Sequence, residues 1–260
     1  MTEPTNSSQG APAYAGAPWA FRRAASQGKQ LVQPWWGMGD VVITFIGAGV
    51  VSLIASILLV RSHIDPVNSW GLLISTSAPW IMLAGWPIYA TWRKGNGARI
   101  DLGLQATPAH MRLGFLAGVI AITLGGAIGA IQQRISGPIT SVAGDLAVNQ
   151  SGIVLFIFLL MIMFGAPIIE EIAFRGLLFG ALMKSQLSGV ASVFLSALVF
   201  SLFHFETSRI LILLAIGLVL GEVRRRTGST LAAMAAHFVV NAPAAIAILL
   251  SALGIGPALN

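Results

Sequence analysis

Six side chains in this sequence have the types and spacings that chemistry requires: Glu170, Glu171, Arg175, His204, His237 and Asn241. The two glutamates interrupt an uncharged run, Ile153–Ile169, and the apolar pattern resumes at Ala173. Ionised carboxylates are costly in such surroundings, and usually face a bundle interior or a wet cavity where they mark function. On a helix Arg175 lies four positions after Glu171 on the same face, with the acid first, the favoured order for a pair. Glu170 is rotated by ~100° and has no cation of its own. One carboxylate is therefore paired and its neighbour left free, as a general base or acid must be. The plainer reading is a structural ion pair with a spare carboxylate reaching the interface.

Two further apolar stretches each bring a histidine. Phe200 and His204 share a helix face, so a ring lies against the imidazole; alone, such a histidine reads as interfacial. His237 and Asn241 are again four apart. Two polar groups on one face suit a developing oxyanion, a metal ligand at His237, or ordinary hydrogen bonding between membrane helices. Pro167 removes a backbone bond just before the glutamates and kinks the helix, while Pro243 frees the carbonyl of Val239. At a rise of ~1.5 Å per residue, Glu170 lies ~21 Å from Lys184 and His204 ~24 Å from Ser188. His237 and Asn241 come out at ~12 and ~18 Å from Ser229 by the same rise. The three motifs thus reach compatible depths.

The elements that must hold them are apolar helices. Hydrophobic residues make up 56% of the 260 and charged residues 9%, against ~25% charged in soluble domains, and the mean hydropathy is +0.83. A spanning helix needs ~20 largely apolar residues. About seven candidates follow, near 41–60, 71–92, 113–131, 152–183, 189–205, 210–223 and 231–253. The fold class is all-α, a polytopic transmembrane bundle with an intramembrane polar cavity. Residues 1–34 read as a disordered cytoplasmic tail and 35–260 as the membrane domain. Gly114/Gly118, Gly125/Gly129 and Gly217/Gly221 have the small-xxx-small spacing of closely packed membrane helices. The net charge of +6 invites a nucleic-acid reading, but the basic residues sort by loop. With the N-terminus inside, twelve fall in inner segments and only Arg61, Arg134 and Arg209 in outer ones. That asymmetry is the positive-inside signature, so the charge reports topology, with a lipid bilayer and no nucleic acid as partner. With no cysteine in the chain, disulfides and Cys-ligated metals are excluded. Plain readings suit the remaining polar residues. His63 and His110 are solvated in loops, Glu206 and Arg209 form an outer interfacial pair, and Glu222 with Arg224–Arg226 is a juxtamembrane stop. Pro34-Trp35-Trp36, Trp86 and Trp92 suit interfacial anchors.

The ordered triple EExxxR (Glu170–Arg175), FxxxH (Phe200–His204) and HxxxN (His237–Asn241) resembles the CPBP family, the CAAX-protease and bacteriocin-processing intramembrane proteases also called Abi proteins. The resemblance covers roughly residues 110–253, and all three motifs match. It implies an endopeptidase acting on a membrane-associated peptide or protein from within the cell membrane. In the related CAAX prenyl protease the residues matching Glu170 and His204 activate water, and those matching His237 and Asn241 stabilise the oxyanion. No cofactor is required in that scheme. The family has also been described as metal-dependent; zinc would take His204, His237 and Glu170 here, although no HExxH pair supports it. Two other readings remain: a non-catalytic membrane scaffold of the same family, and a transporter with a midplane carboxylate relay. The latter calls for two similar halves, and residues 1–130 hold no counterpart of the EE segment.

Overall fold

A computed structural model describes residues 13–255. Among the described residues the chain is all helical. Helix α1 is Trp19–Ser26, α2 Met38–Arg61 and α3 the composite Ser69–Lys94. Next come α4, Pro108–Ser136, the short α5, Val142–Val148, and the long α6, Gly152–Lys184. The chain ends in α7, Gly189–Phe203, α8, Ile210–Thr227, and α9, Thr230–Ala252.

All seven apolar segments are therefore helices, but five of them (α2, α3, α4, α6 and α9) are long and apolar enough to cross a membrane. The 15 residues of α7 rise only ~22 Å, short of a ~30 Å hydrocarbon core. Helix α8 gives its last two turns to Glu222 and Arg224–Arg226. The two pack against each other as a hairpin, with His204 at the C-terminal end of α7. This architecture is that of a multi-pass membrane protein. Large apolar side chains such as Leu116, Ile131 and Leu53 stand exposed around it, as a lipid-facing surface requires.

Helix limits follow local chemistry. Thr107 caps α4 by accepting from the His110 amide at 3.2 Å, ahead of Pro108 at the first helical position. Ser188 and Ser229 cap α7 and α9 in the same way. Gly228 ends α8 in the left-handed region, at φ +65°. The glycine spacings mark close approaches. Side chains at Gly114 and Gly118 would run into the carbonyl oxygens of Ala232 and Ala236 on α9, and Gly217 and Gly221 sit against Ala197 and Val193 of α7.

Three sequence expectations change. Residues 1–12 of the expected tail lie outside the described residues, but 13–34 are not a loose tail. Phe21 of α1 is fully buried, its ring edge-on to Tyr14 at 5.1 Å, and Trp19 donates its amide to the Gly228 carbonyl at 2.9 Å. Trp36 is core rather than interfacial: it is buried and its indole donates to Asp101 at 3.2 Å. His110 belongs to the first turn of α4, its ring edge-on to Trp19 at 5.2 Å.

Candidate active site

Helix α6 is not α-helical throughout. Its register widens to π-helix at Met161–Gly165 and again at Ile172–Leu178, leaving the short α-helical piece Ala166–Glu171 between. Such π-turns are rare and concentrate at functional sites. The first has a local cause. The Ala166 amide bonds the Met161 carbonyl, five residues back; the next donor in that register would be Pro167, which has no N–H. The Ile162 carbonyl is thus freed, and the Asn241 amide of α9 donates to it at 2.9 Å.

Glu171 and Arg175 are both completely buried. Arg175 Nη1 donates to Glu171 Oε1 at 2.8 Å and Nη2 to the Gly217 carbonyl of α8 at 2.9 Å. The guanidinium also lies over the Phe200 ring, 4.6 Å from its centroid. The same carboxylate oxygen takes a second partner, His237 Nδ1, at 3.0 Å. A carboxylate accepts and cannot donate, so this nitrogen carries a hydrogen. The Phe200 carbonyl lies 2.7 Å from His204 Nδ1 and fixes that ring in the same way.

Glu170 is in a different situation. Its Oε2 is buried and has no hydrogen-bond partner among the described residues. It faces two imidazole nitrogens, His204 Nε2 at 3.8 Å and His237 Nε2 at 3.9 Å. These distances are too long for direct hydrogen bonds and suit a bridging group. Glu170, His204, His237 and Asn241 line a cavity of about 480 Å³ that runs along α9 to α5, with apolar walls from Phe158, Ile162 and Ile248. Glu206 and Arg209, paired at 2.7 Å, line the same cavity. All six residues singled out by the motifs thus meet, and Phe200 packs edge-on to both histidines.

Three features of the site were not read from the motifs. Arg224 is buried within the bundle and donates from Nε to the Arg175 carbonyl at 3.0 Å. Its signal was its place on one face with Gly217 and Gly221, at i+7 and i+3. The Ile162 carbonyl follows from Pro167, and α5 as a cavity wall has no signal in the motifs. Among the described residues no group of three or more His, Asp or Glu side chains is disposed to hold a metal ion.

A multi-pass helical membrane protein with a glutamate and two histidines converging from three helices on an apolar-walled cavity is the class defined so far. Residues 152–243 match the family model of the type II CAAX prenyl endopeptidase Rce1-like family, the group that the three motifs resemble. The match covers about a third of the chain, begins at the first residue of α6 and takes in all three motifs. No curated protein and no solved structure matches the chain.

Proposed function

We propose that this protein is an intramembrane endopeptidase that hydrolyses a peptide bond of a membrane-associated substrate, with Glu170 as general base. The observation that carries the reading is the unpartnered Glu170 oxygen held between two histidine Nε2 atoms on the cavity wall. A water placed there donates one hydrogen to Glu170 and the other to His204 Nε2, whose lone pair faces the cavity because Nδ1–H is held by Phe200. As the water oxygen attacks the peptide carbonyl, Glu170 takes its proton. The developing oxyanion needs donors. His237 supplies one from Nε2 as an imidazolium, stabilised at Nδ1 by Glu171, and Asn241 supplies its second amide hydrogen, the first being held by Ile162. Collapse of the tetrahedral intermediate breaks the C–N bond, and the leaving amine takes the proton from Glu170. Glu171 and Arg175 act through His237 as positioning residues. No metal is needed in this scheme.

The N-terminus is cytoplasmic in this proposal, supported by the loop asymmetry of the basic residues, although Arg175 and Arg224 drop out of that count because they are buried in the bundle. The test compares new protein termini in membrane fractions of cells carrying wild type or Glu170→Gln. Termini that appear only with wild type, and are regenerated when the purified protein is reconstituted with the candidate substrate, support the reading. Identical sets of termini would sink it in favour of a scaffold.

A further inference from the structure

At the basic end of the bundle lies a second, smaller pocket of about 210 Å³, between α1, the end of α6 and the α8–α9 turn, lined by Tyr14, Arg22, Phe179, Met183, Arg224 and Arg225 among others. Arg224 is only 1% exposed. Its Nε is held by the Arg175 carbonyl and its guanidinium lies 5.2 Å from the Phe179 ring centroid, yet its Nη2 is buried with no hydrogen-bond partner. The Tyr14 hydroxyl is buried without a partner as well. Among the described residues no carboxylate pairs with Arg22 or Arg224. Arg225 is engaged by Glu222 at 2.6 Å, and Asp101, whose charge also reaches Tyr14, is occupied by Trp36 and Asn96. A buried guanidinium whose donors have no acceptor is costly. Here two such donors share one pocket with two further arginines.

We propose that this pocket binds a phosphoryl anion, either the headgroup of an anionic phospholipid or free phosphate. Arg224 and Arg22 supply charge-assisted hydrogen bonds and Tyr14 a neutral one. The pocket's place beside Lys184 and Arg225, where α6 and α8 end, is the level at which basic pockets between membrane helices meet lipid headgroups. None of the side chains assigned to peptide hydrolysis lines this pocket, and the inference does not rest on that reading.

The test uses the full-length protein, with inorganic phosphate titrated calorimetrically in a zwitterionic detergent. In parallel, lipid retention is measured by native mass spectrometry after incorporation into phosphatidylcholine nanodiscs with or without phosphatidylglycerol. Arg22 is exposed on α1, so Arg22→Gln leaves the fold intact where Arg224→Gln can fail to fold. Arg23→Gln, on the same helix and outside the pocket, is the control. Saturable binding of phosphate at one site, weakened about tenfold or more by Arg22→Gln and unchanged by Arg23→Gln, supports a free-anion site. Retention of phosphatidylglycerol with the same variant pattern and no phosphate binding supports a headgroup site. Failure of both probes to bind saturably, or equal weakening by Arg22→Gln and Arg23→Gln, overturns the proposal.

Discussion

Glu170→Gln and Glu171→Gln are the same chemical change at adjacent positions, and the site predicts opposite signatures for them. Glu171 Oε1 receives Arg175 Nη1 at 2.8 Å and His237 Nδ1 at 3.0 Å, with Glu171 and Arg175 at 0% exposure. A neutral amide there leaves a buried guanidinium without its counter-charge, and breaking a buried pair in this way costs ~3–5 kcal/mol. The oxygen of the substituted amide still accepts one of the two bonds, which puts the expected loss near the lower end, ~3 kcal/mol. Glu170 makes no hydrogen bond through Oε2 and is about one-fifth exposed to the cavity. Its replacement removes no folded-state pairing, so the change should fall within ~0.5 kcal/mol, as for sites lacking buried partners. The assay is thermal unfolding of the two variants in one detergent at one scan rate, since membrane-protein unfolding is commonly irreversible and rate-dependent. Glu171→Gln should melt well below wild type and Glu170→Gln with it, while only the latter abolishes peptide hydrolysis with the fold intact. The double variant Glu171→Gln/Arg175→Gln should recover part of the loss, because no unpaired charge then remains buried. Equal destabilisation by the two single variants would refute the division into a free base and a paired acid.

Exhaustive chelation should leave hydrolysis unchanged, and elemental analysis should find no stoichiometric zinc. Zinc at one per chain that is lost in His204→Ala, with activity restored by added zinc, would overturn the metal-free scheme. Asn241→Ala should lower kcat by ~10²–10³ if its amide is an oxyanion donor; a change confined to melting temperature would assign it only to the Ile162 carbonyl. The cysteine-free sequence permits single-cysteine topology mapping. With the N-terminus inside, a membrane-impermeant maleimide should label Ser136→Cys in intact cells and Ser26→Cys only after permeabilisation, and the reverse pattern would invert the orientation.

The apolar segments were legible because lipid-facing helices keep their composition whatever they pack against, and the Glu171–Arg175 pair because four-residue spacing fixes a face. The span count fell from about seven to five because α7 has only 15 residues and α8 ends in Glu222 and Arg224–Arg226, features that a reading of the apolar stretches alone does not weigh. The partners of Asn241 and Arg224 were not legible. The first depends on a π-register set by Pro167. The second depends on which of three consecutive arginines turns inward, and only Arg224 continues the Gly217/Gly221 face. Helix α1 escaped notice because eight residues in an Ala-, Pro- and Gly-rich context carry little periodic signal; what holds it is Phe21 packed among Ala17, Ala24 and Leu31 and against Ile100, with the Trp19 amide on the Gly228 carbonyl.

Adjacent residues on a helix point ~100° apart, so two neighbouring glutamates do not ordinarily serve one centre. Here His237 joins them. An imidazole presents nitrogens on two edges of a rigid ring, and the α9 histidine turns Nδ1 to Glu171 and Nε2 toward Glu170. Glu171 thereby holds the hydrogen on one side of the ring and leaves the other side facing Glu170. Arg175 hydrogen-bonds the first carboxylate and forms no ion pair with the second, which in the proposed scheme leaves Glu170 free to act as the base. In the proposed scheme the two glutamates divide their tasks across the two nitrogens of one histidine. One glutamate alone would either hold the ring or face the cavity.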